Sequence, residues 1–264
     1  MGCSIWAIPL VATEASMRFP LALLAASMAA VLAAAPARAS DESGLPGVAP
    51  GDYEVVLSES FMQSHPDMLY RMRGLGALNR GEGRQAEDNF RRAAKYADKL
   101  SQAFIAQMLW EGRGIAQDRA LAYAWMDLAA ERGSPMLVAE RERYWDALDE
   151  AQRARAVAEG KAIYARYADD VAKPRLETEM RRSRKNEAVG SRLGSVVTQV
   201  NVCIGDWKVS DMQLVCNRSI AAEHYYQDRF WKPADYWKWQ EQQISVPKGE
   251  IQLGTPETVK KDGT

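Results

Sequence analysis

Two short amphipathic helices joined by a glycine-bounded loop are predicted between Ala103 and Gly133, and this stretch constrains the fold more than any other. In the first helix, apolar residues recur at the i, i+3, i+4, i+7 spacing of one helical face. In the second, Trp125 and Met126 share a face with several alanines. Asp118 stands where an N-cap residue is preferred, and Gly133 stands where a helix ends. The pattern predicts a helical hairpin whose small residues let neighbouring hairpins approach closely.

The same stretch carries the positions of a known repeat. These positions are Ala103, Leu109, Gly112, Arg113, Gly114, Ile115, Asp118, Ala122, Trp125, Ala129, Ala130 and Gly133. Together they resemble a Sel-one-like repeat, a relative of the tetratricopeptide repeat. A weaker copy precedes it, because Phe90–Asp98 matches Met126–Ser134, and Gly81–Gly83 matches Gly112–Gly114. The resemblance covers residues 67–170 and implies an adaptor that binds other proteins.

A further helical unit follows the strong repeat. Ser134 and Pro135 start one predicted helix, and Asp149 with Gln152 forms a capping box that starts the next. This unit lacks the glycines of the repeat and is more charged, as expected of a terminal unit whose outer face meets water. The predicted fold class is therefore mainly α. It is an α-solenoid of stacked helical hairpins of the tetratricopeptide or Sel-one-like type, with a small C-terminal β-containing module.

The N-terminal residues predict export. A secretory signal within residues 1–39 starts at Met17 with a charged residue, continues as the apolar run Leu21–Ala35 and ends in an A-x-A cleavage site after Ala39. The run of about 15 residues is shorter than the ~20 that a spanning helix needs, which disfavours the alternative of a stable membrane anchor. The residues before Met17 read as an upstream extension. We expect a mature chain that begins at Ser40 and is periplasmic or secreted in a bacterium.

Composition and motif spacing argue against several function classes. The formal net charge of −1 is near neutral, whereas a nucleic-acid partner favours a basic surplus. Neither His65 nor His224 lies in a metal-ligand spacing, and the sequence shows no phosphate loop after a strand and no nucleophile elbow. We therefore predict no catalytic, cofactor-binding or metal-binding residue and a non-enzymatic role. An enzyme with an unrecognised site is the remaining third class.

Composition shifts divide the chain into six predicted segments. They are an upstream extension and signal peptide at 1–39, a leader at 40–66, helical repeats with a C-terminal cap at 67–170, a basic linker at 171–194, a small β and aromatic module at 195–245 and a flexible tail at 246–264. The linker is basic enough to dock an anionic surface, but its interleaved glutamates favour a solvated helix end.

The module at 195–245 begins with a β pattern. Residues alternate with period two from Val196 to Ile204, and shorter candidate strands follow at Trp207–Val209 and Met212–Cys216. A three-stranded meander stapled by a Cys203–Cys216 disulfide is the simplest construction, since paired cysteines are typical of exported proteins. Two reduced cysteines in a core are the alternative.

Two candidate binding surfaces follow from these patterns. The first is the concave face of the repeats, lined by the first helix of each hairpin and expected to hold an unknown protein or peptide partner. Its candidate residues are Arg71, Asn79, Gln107, Trp110 and Glu111.

The second candidate surface is aromatic. Seven aromatic residues lie between Tyr225 and Trp239, and aromatic rings stack on sugars and apolar ligands. The residues Trp231, Tyr236, Trp237 and Trp239 could thus form a platform for peptidoglycan or a peptide. The reading we favour is that these large rings form the core of a small module.

Overall fold

The computed structural model describes residues 48–190, 198–205 and 214–245 of the chain. This part is mostly helical and contains one two-stranded antiparallel sheet. A short 3-10 turn at Pro50–Asp52 comes first. The helices are α1 Tyr53–Val56, α2 Glu59–Ser64, α3 Pro66–Asn79, α4 Gly83–Ala94, α5 Lys99–Glu111, α6 Arg119–Ala129, α7 Pro135–Asp146, α8 Glu150–Tyr167, α9 Asp169–Gly190, α10 Ala222–Tyr225, α11 Asp228–Trp231 and α12 Pro233–Ser245. The strands are β1 Gln199–Gly205 and β2 Leu214–Ala221.

Successive helices pack as hairpins. Helix α3 packs on α4, α5 packs on α6, and α4 contacts α5, so the two hairpins lie side by side. The predicted N-cap of α6 is present, because the Asp118 side chain accepts a hydrogen bond from the Leu121 amide at 3.0 Å. The backbone turns into the left-handed region at Gly112 and again at Gly133. The hairpin predicted between Ala103 and Gly133 is confirmed.

The two copies of the repeat share an unusual backbone position. Gly133 has φ 74°, and its counterpart Ala97 has φ 63° although it carries a side chain. A left-handed conformation costs an L-residue roughly 1–2 kcal/mol, so the surrounding packing must hold Ala97 there. Equivalent residues of the two copies thus make the same turn into the next helix, which supports the internal repeat that the sequence indicates.

The unit that follows the strong repeat also forms as predicted. The Asp149 side chain accepts from the Gln152 amide at 2.8 Å, and the Gln152 side chain accepts from the Asp149 amide at 3.1 Å. This capping box starts α8, which packs on α6.

A helix occupies most of the segment for which the sequence predicts a linker. Helix α9 runs from Asp169 to Gly190, with two aspartates in its first turn, where negative charge is favourable. Its buried residues Ala172, Leu176 and Met180 recur every four positions and belong to the main core. The prediction of a basic linker is therefore wrong for residues 171–190, because a narrow apolar stripe lies between the charged residues. Residues 191–194 lie outside the described part.

The leader predicted at 40–66 also folds over much of its length. Helices α1 and α2 bury Val55, Val56, Phe61 and Met62 in the main core. They do so because the C-terminal residues pack on them, as described below. Residues 53–64 of the segment named as a leader are therefore largely helical and belong to the core.

The sheet is a two-stranded antiparallel hairpin with a register shift between Val202 and Ile204. Cys203 and Cys216 form the expected disulfide across it. Strand β1 contacts α2, and Ile204 forms a β-bridge with Ser58. The candidate strand at Trp207–Val209, the signal segment and the tail at 246–264 lie outside the described residues.

Candidate functional site

The aromatic residues near the C-terminus form core, not an exposed platform. Trp231, Tyr236, Trp237 and Trp239 are 4%, 0%, 7% and 3% exposed. Their neighbours include α2, whose Phe61 ring lies edge-on to Trp231 with centroids 6.0 Å apart. A ring that stacks on a sugar must offer an open face, so the expectation of a glycan platform on these four residues is wrong.

The predicted partner-binding residues divide between core and surface. Arg71 is buried, and its Nε donates to the Asp98 carboxylate at 2.8 Å, so its placement on a partner-facing surface is wrong. Trp110 is half-buried and stacks on Tyr144, with ring centroids 4.0 Å apart.

The other three predicted partner residues are exposed. Asn79 lies at the end of α3, whereas Gln107 and Glu111 lie on α5, where the Gln107 amide donates to the Glu111 carboxylate at 2.9 Å. These three residues occupy the first helices of consecutive hairpins, as the sequence analysis expects.

A buried polar network ties α3 to α12. One Asp67 oxygen accepts hydrogen bonds from the Tyr236 hydroxyl at 2.6 Å and from the Gln240 amide at 2.7 Å. The other Asp67 oxygen is buried without a hydrogen-bond partner in the described residues. Burial, together with the nearby Asp98 charge, raises the pKa of Asp67 to about 6. The network joins two elements far apart in sequence through a costly buried carboxylate.

A buried histidine joins α2 to α11. The His65 Nδ1 lies 2.8 Å from the Phe61 carbonyl oxygen, and its Nε2 lies 2.8 Å from the Phe230 carbonyl oxygen. Burial lowers the pKa of His65 to about 4, so the ring is neutral at pH 7 and donates to only one of the two carbonyls. Within the described ranges, no three His, Cys, Asp or Glu side chains are grouped to hold a metal ion.

A cluster of five charges lies where α5 begins and α6 ends, and it includes the Lys173 ammonium, 2.8 Å from the Asp169 carboxylate. The Lys99 ammonium is 1% exposed and donates to Glu131 at 2.6 Å, and it lies 3.1 Å from Asp169. Asp169 also accepts from the Nε and Nη2 of Arg132, at 2.7 and 3.0 Å. Burial alone would raise the pKa of Asp169, but Arg132 and Lys99 hold it well below its usual range. Burial lowers the pKa of Lys99, and Asp169 opposes that effect.

A small cleft opens beside this cluster, between the start of α5, the Gly133 turn, the start of α7 and the end of α12. We call it the α7 cleft; its volume is about 100 Å³, enough for roughly three waters. The residues that line the cleft include Lys99, Arg132, Ser134, Leu137, Glu241 and Ile244.

Two buried polar atoms of residues that line the cleft have no hydrogen-bond partner among the described residues. The Arg132 side chain is 7% exposed, and its Nη1 has no hydrogen-bond partner in the part of the chain that the structure describes. The same is true of the buried Ser134 hydroxyl, which stands at the N-cap of α7 without accepting a capping bond. Buried polar groups are nearly always satisfied, so these two atoms beside the cleft make it a candidate binding site.

Comparison with known proteins gives little further guidance. No protein-family model matches the sequence, and neither does any curated protein. One solved structure similar to part of the chain is that of a protective antigen present in uropathogenic Escherichia coli strains, which displays an SLR fold. The similarity is 25% identity over 40% of this chain and 24% of the antigen chain, with a TM-score of 0.34. The match spans about a quarter of the antigen, and at this TM-score it carries no argument about fold or function.

The residues of the α7 cleft are not among the site residues that the sequence predicts. A usable signal does exist: Arg132 and Ser134 flank Gly133 at the end of the strong repeat, and Lys99 opens its first helix. The local sequence does not show that α12 forms the other side of the cleft with Glu241 and Ile244.

No helix among the described residues has the length and apolar character needed to cross a membrane.

Proposed function

We propose that this protein is a non-enzymatic α-solenoid adaptor of the bacterial cell envelope that binds a peptide or protein segment on its helical hairpins. The observation that carries the proposal is the tandem arrangement of α3–α4 and α5–α6, whose first helices expose Asn79, Gln107 and Glu111. Stacked hairpins present the same helix of each unit on one surface, and such surfaces bind extended segments. The resemblance of residues 103–133 to a Sel-one-like repeat supports the same role.

Export is part of the proposal. The A-x-A site before Ser40 and the Cys203–Cys216 disulfide both fit a chain that matures in an oxidising compartment. N-terminal sequencing of the protein recovered from the envelope is expected to read from Ser40. A sequence that begins at Met1 or Met17 contradicts this part.

The binding role is tested by crosslinking the full chain in its native envelope and identifying the captured proteins by mass spectrometry. Deleting the repeats is a poor control, because α12 packs on α3 and the rest of the chain loses that surface. A double change, Gln107→Lys with Glu111→Lys, alters the exposed face of α5 and leaves the core intact.

The matched control is Asp88→Lys, which changes an exposed charge on α4, the second helix of its hairpin. We expect the double variant to recover recurrent partners at least fivefold less well, and the control to recover them as the wild type does. Equal recovery by all three proteins overturns the proposed surface.

A further inference from the structure

We propose that the α7 cleft binds a carboxylate group presented by a peptide, either a chain-terminal carboxylate or an Asp or Glu side chain. The peptide source rests on the proposed function, whereas the carboxylate chemistry rests on the cleft alone. Neither the repeat pattern nor the comparisons assign this site.

Arg132 is held in place as a donor. Its Nε and Nη2 both donate to the Asp169 carboxylate, and Nη2 also donates to the Ala97 carbonyl at 3.0 Å. The guanidinium lies over the Trp237 ring, 4.9 Å from its centroid. The two N–H groups of Nη1 have no acceptor within residues 48–190, 198–205 and 214–245. A guanidinium fixed on three sides loses little entropy when it donates to a ligand. The arrangement therefore favours a ligand that accepts hydrogen bonds.

The two repeat copies differ at the helix start that borders the cleft. Asp98 caps α5, because its side chain accepts from the Ser101 amide at 3.0 Å. Its counterpart Ser134 does not cap α7, and its hydroxyl has no hydrogen-bond partner in the described part of the chain. Among the described residues, no side chain accepts from the first-turn amides of this 12-residue helix, whose start carries a partial positive charge. An anionic oxygen supplied by a ligand would fill that role.

Charge and size select the kind of anion. Lys99, Arg132 and Lys173 already face Glu131 and Asp169. Glu241 also lines the cleft. Since these three cations are balanced by three carboxylates, a dianionic phosphate would add two uncompensated negative charges, whereas a monoanion adds one. About 100 Å³ holds a carboxylate and one or two carbons, which Leu137 and Ile244 would contact. These features point to a carboxylate.

The first experiment titrates the full chain with propionate, propionamide and inorganic phosphate, and follows the backbone amide resonances of Met136 and Leu137. Saturable shifts with propionate, at least tenfold weaker binding of phosphate and no saturation with the neutral amide are expected. Equal responses to propionate and propionamide, or no saturable response because the cleft holds only water, overturn the inference.

Matched serine variants separate binding from folding. Ser134→Ala removes the hydroxyl in the cleft, and we expect propionate affinity to fall about threefold to tenfold. Ser101→Ala removes another buried hydroxyl without a partner among the described residues, one that does not line the cleft, and should leave the affinity unchanged. Glu241→Gln removes a negative charge from the lining and should raise the affinity about twofold to fivefold. Equal affinity in all four proteins overturns the site.

Peptide probes then identify the source of the carboxylate. An acetylated Gly-Val peptide with a free terminus is compared with its amide, and an amidated Gly-Glu-Gly peptide is compared with its Gln counterpart. Binding of one acidic member alone names the source, and binding by neither overturns the peptide assignment. Partner recovery in the envelope without any carboxylate binding refutes this inference alone. Propionate binding without recovered partners refutes the proposed function alone.

Discussion

The helical hairpins and the C-terminal residues 198–245 are stabilised in opposite ways. In the hairpins, small residues let neighbouring helices touch: the ring of Phe90 on α4 lies directly against Gly74 on α3. The C-terminal residues use large rings and long-range hydrogen bonds, such as the one from the Trp239 indole to Asp52 across 187 positions. Contacts of the first kind are encoded in local periodicity, whereas contacts of the second kind depend on partners that the local sequence does not specify.

The largest expected effect comes from removing a ring of the C-terminal core. Trp239→Ala leaves a cavity beside Phe230 and Tyr236 and removes the donor to Asp52, so we expect a loss of about 3–5 kcal/mol in the free energy of unfolding. The matched change in the hairpins, Trp110→Ala, removes a half-buried ring and should cost about 1–2 kcal/mol. Urea unfolding of both variants gives the comparison. Equal losses would mean that the two regions do not differ as described.

Removing the disulfide tests the β hairpin separately. Changing Cys203 and Cys216 together to Ser should cost about 3 kcal/mol in the chain-entropy model, because the bridge joins residues 13 positions apart and so lowers the entropy of the unfolded chain. Hydrogen exchange should accelerate first in β1 and β2, while α5 and α6 keep their protection. A uniform acceleration through the hairpins would show that both regions open as one unit.

Substitutions at two helical glycines test how closely the helices pack. An added Cβ at Gly74 would lie 2.5 Å from the Phe90 ring, so Gly74→Ala should cost about 1–3 kcal/mol. At Gly160 the nearest atom would be 3.9 Å away, so Gly160→Ala should stabilise α8 by about 0.5–1 kcal/mol through helix propensity. Thermal unfolding of the pair should therefore show shifts of opposite sign. Shifts of the same sign contradict close packing at Gly74.

The smallest expected effect is a pH dependence at the junction of the two regions. The pKa of Asp67 is raised from 3.8 to about 6, so its contribution to stability is fully present below about pH 4 and is lost as the pH rises through 6. The pKa of His65 is lowered from 6.5 to about 4, so its contribution is fully present above pH 6.5 and is lost as the pH falls towards 4. The two slopes oppose each other, each reaching at most ~1.4 kcal/mol per pH unit.

Single variants should separate the two slopes. Between pH 4 and 6, Asp67→Asn is expected to make stability rise with pH, because only the His65 slope remains. His65→Gln should make it fall with pH over the same range. Urea midpoints measured at several pH values give both slopes, and two variants with the same sign of slope would show that another group dominates.

The sequence contained most of the hairpin architecture. Asp118, Gly133 and the Asp149–Gln152 pair predict helix boundaries that the structure confirms, since caps and turns act within a few residues. The Cys203–Cys216 pair is likewise confirmed.

The misses share one physical cause. Arg71 has the position of an exposed helical residue, but Asp98 and α12 cover it. The apolar stripe of Ala172, Leu176 and Met180 in α9 is narrow, and the charged residues around it dominate the composition of this segment. Composition therefore predicts a linker where a packed helix forms. The α7 cleft draws residues from four elements, and one of them is the last helix described. Each wrong or missing prediction concerns which face of an element is covered by residues distant in sequence. Tertiary packing determines that face.

Helix α12 has a consequence for how this array could grow. Its 13 residues make about 20 Å of helix. This helix bonds to Asp67 on α3 and also lies beside Arg132 at the end of the second hairpin and Leu137 on α7. A duplicated hairpin inserted between α4 and α5 would separate those anchor points by at least one helix layer of roughly 8–10 Å. Helix α12 therefore sets the spacing between its two anchor points. It fits two hairpins, and an inserted hairpin would require a longer α12.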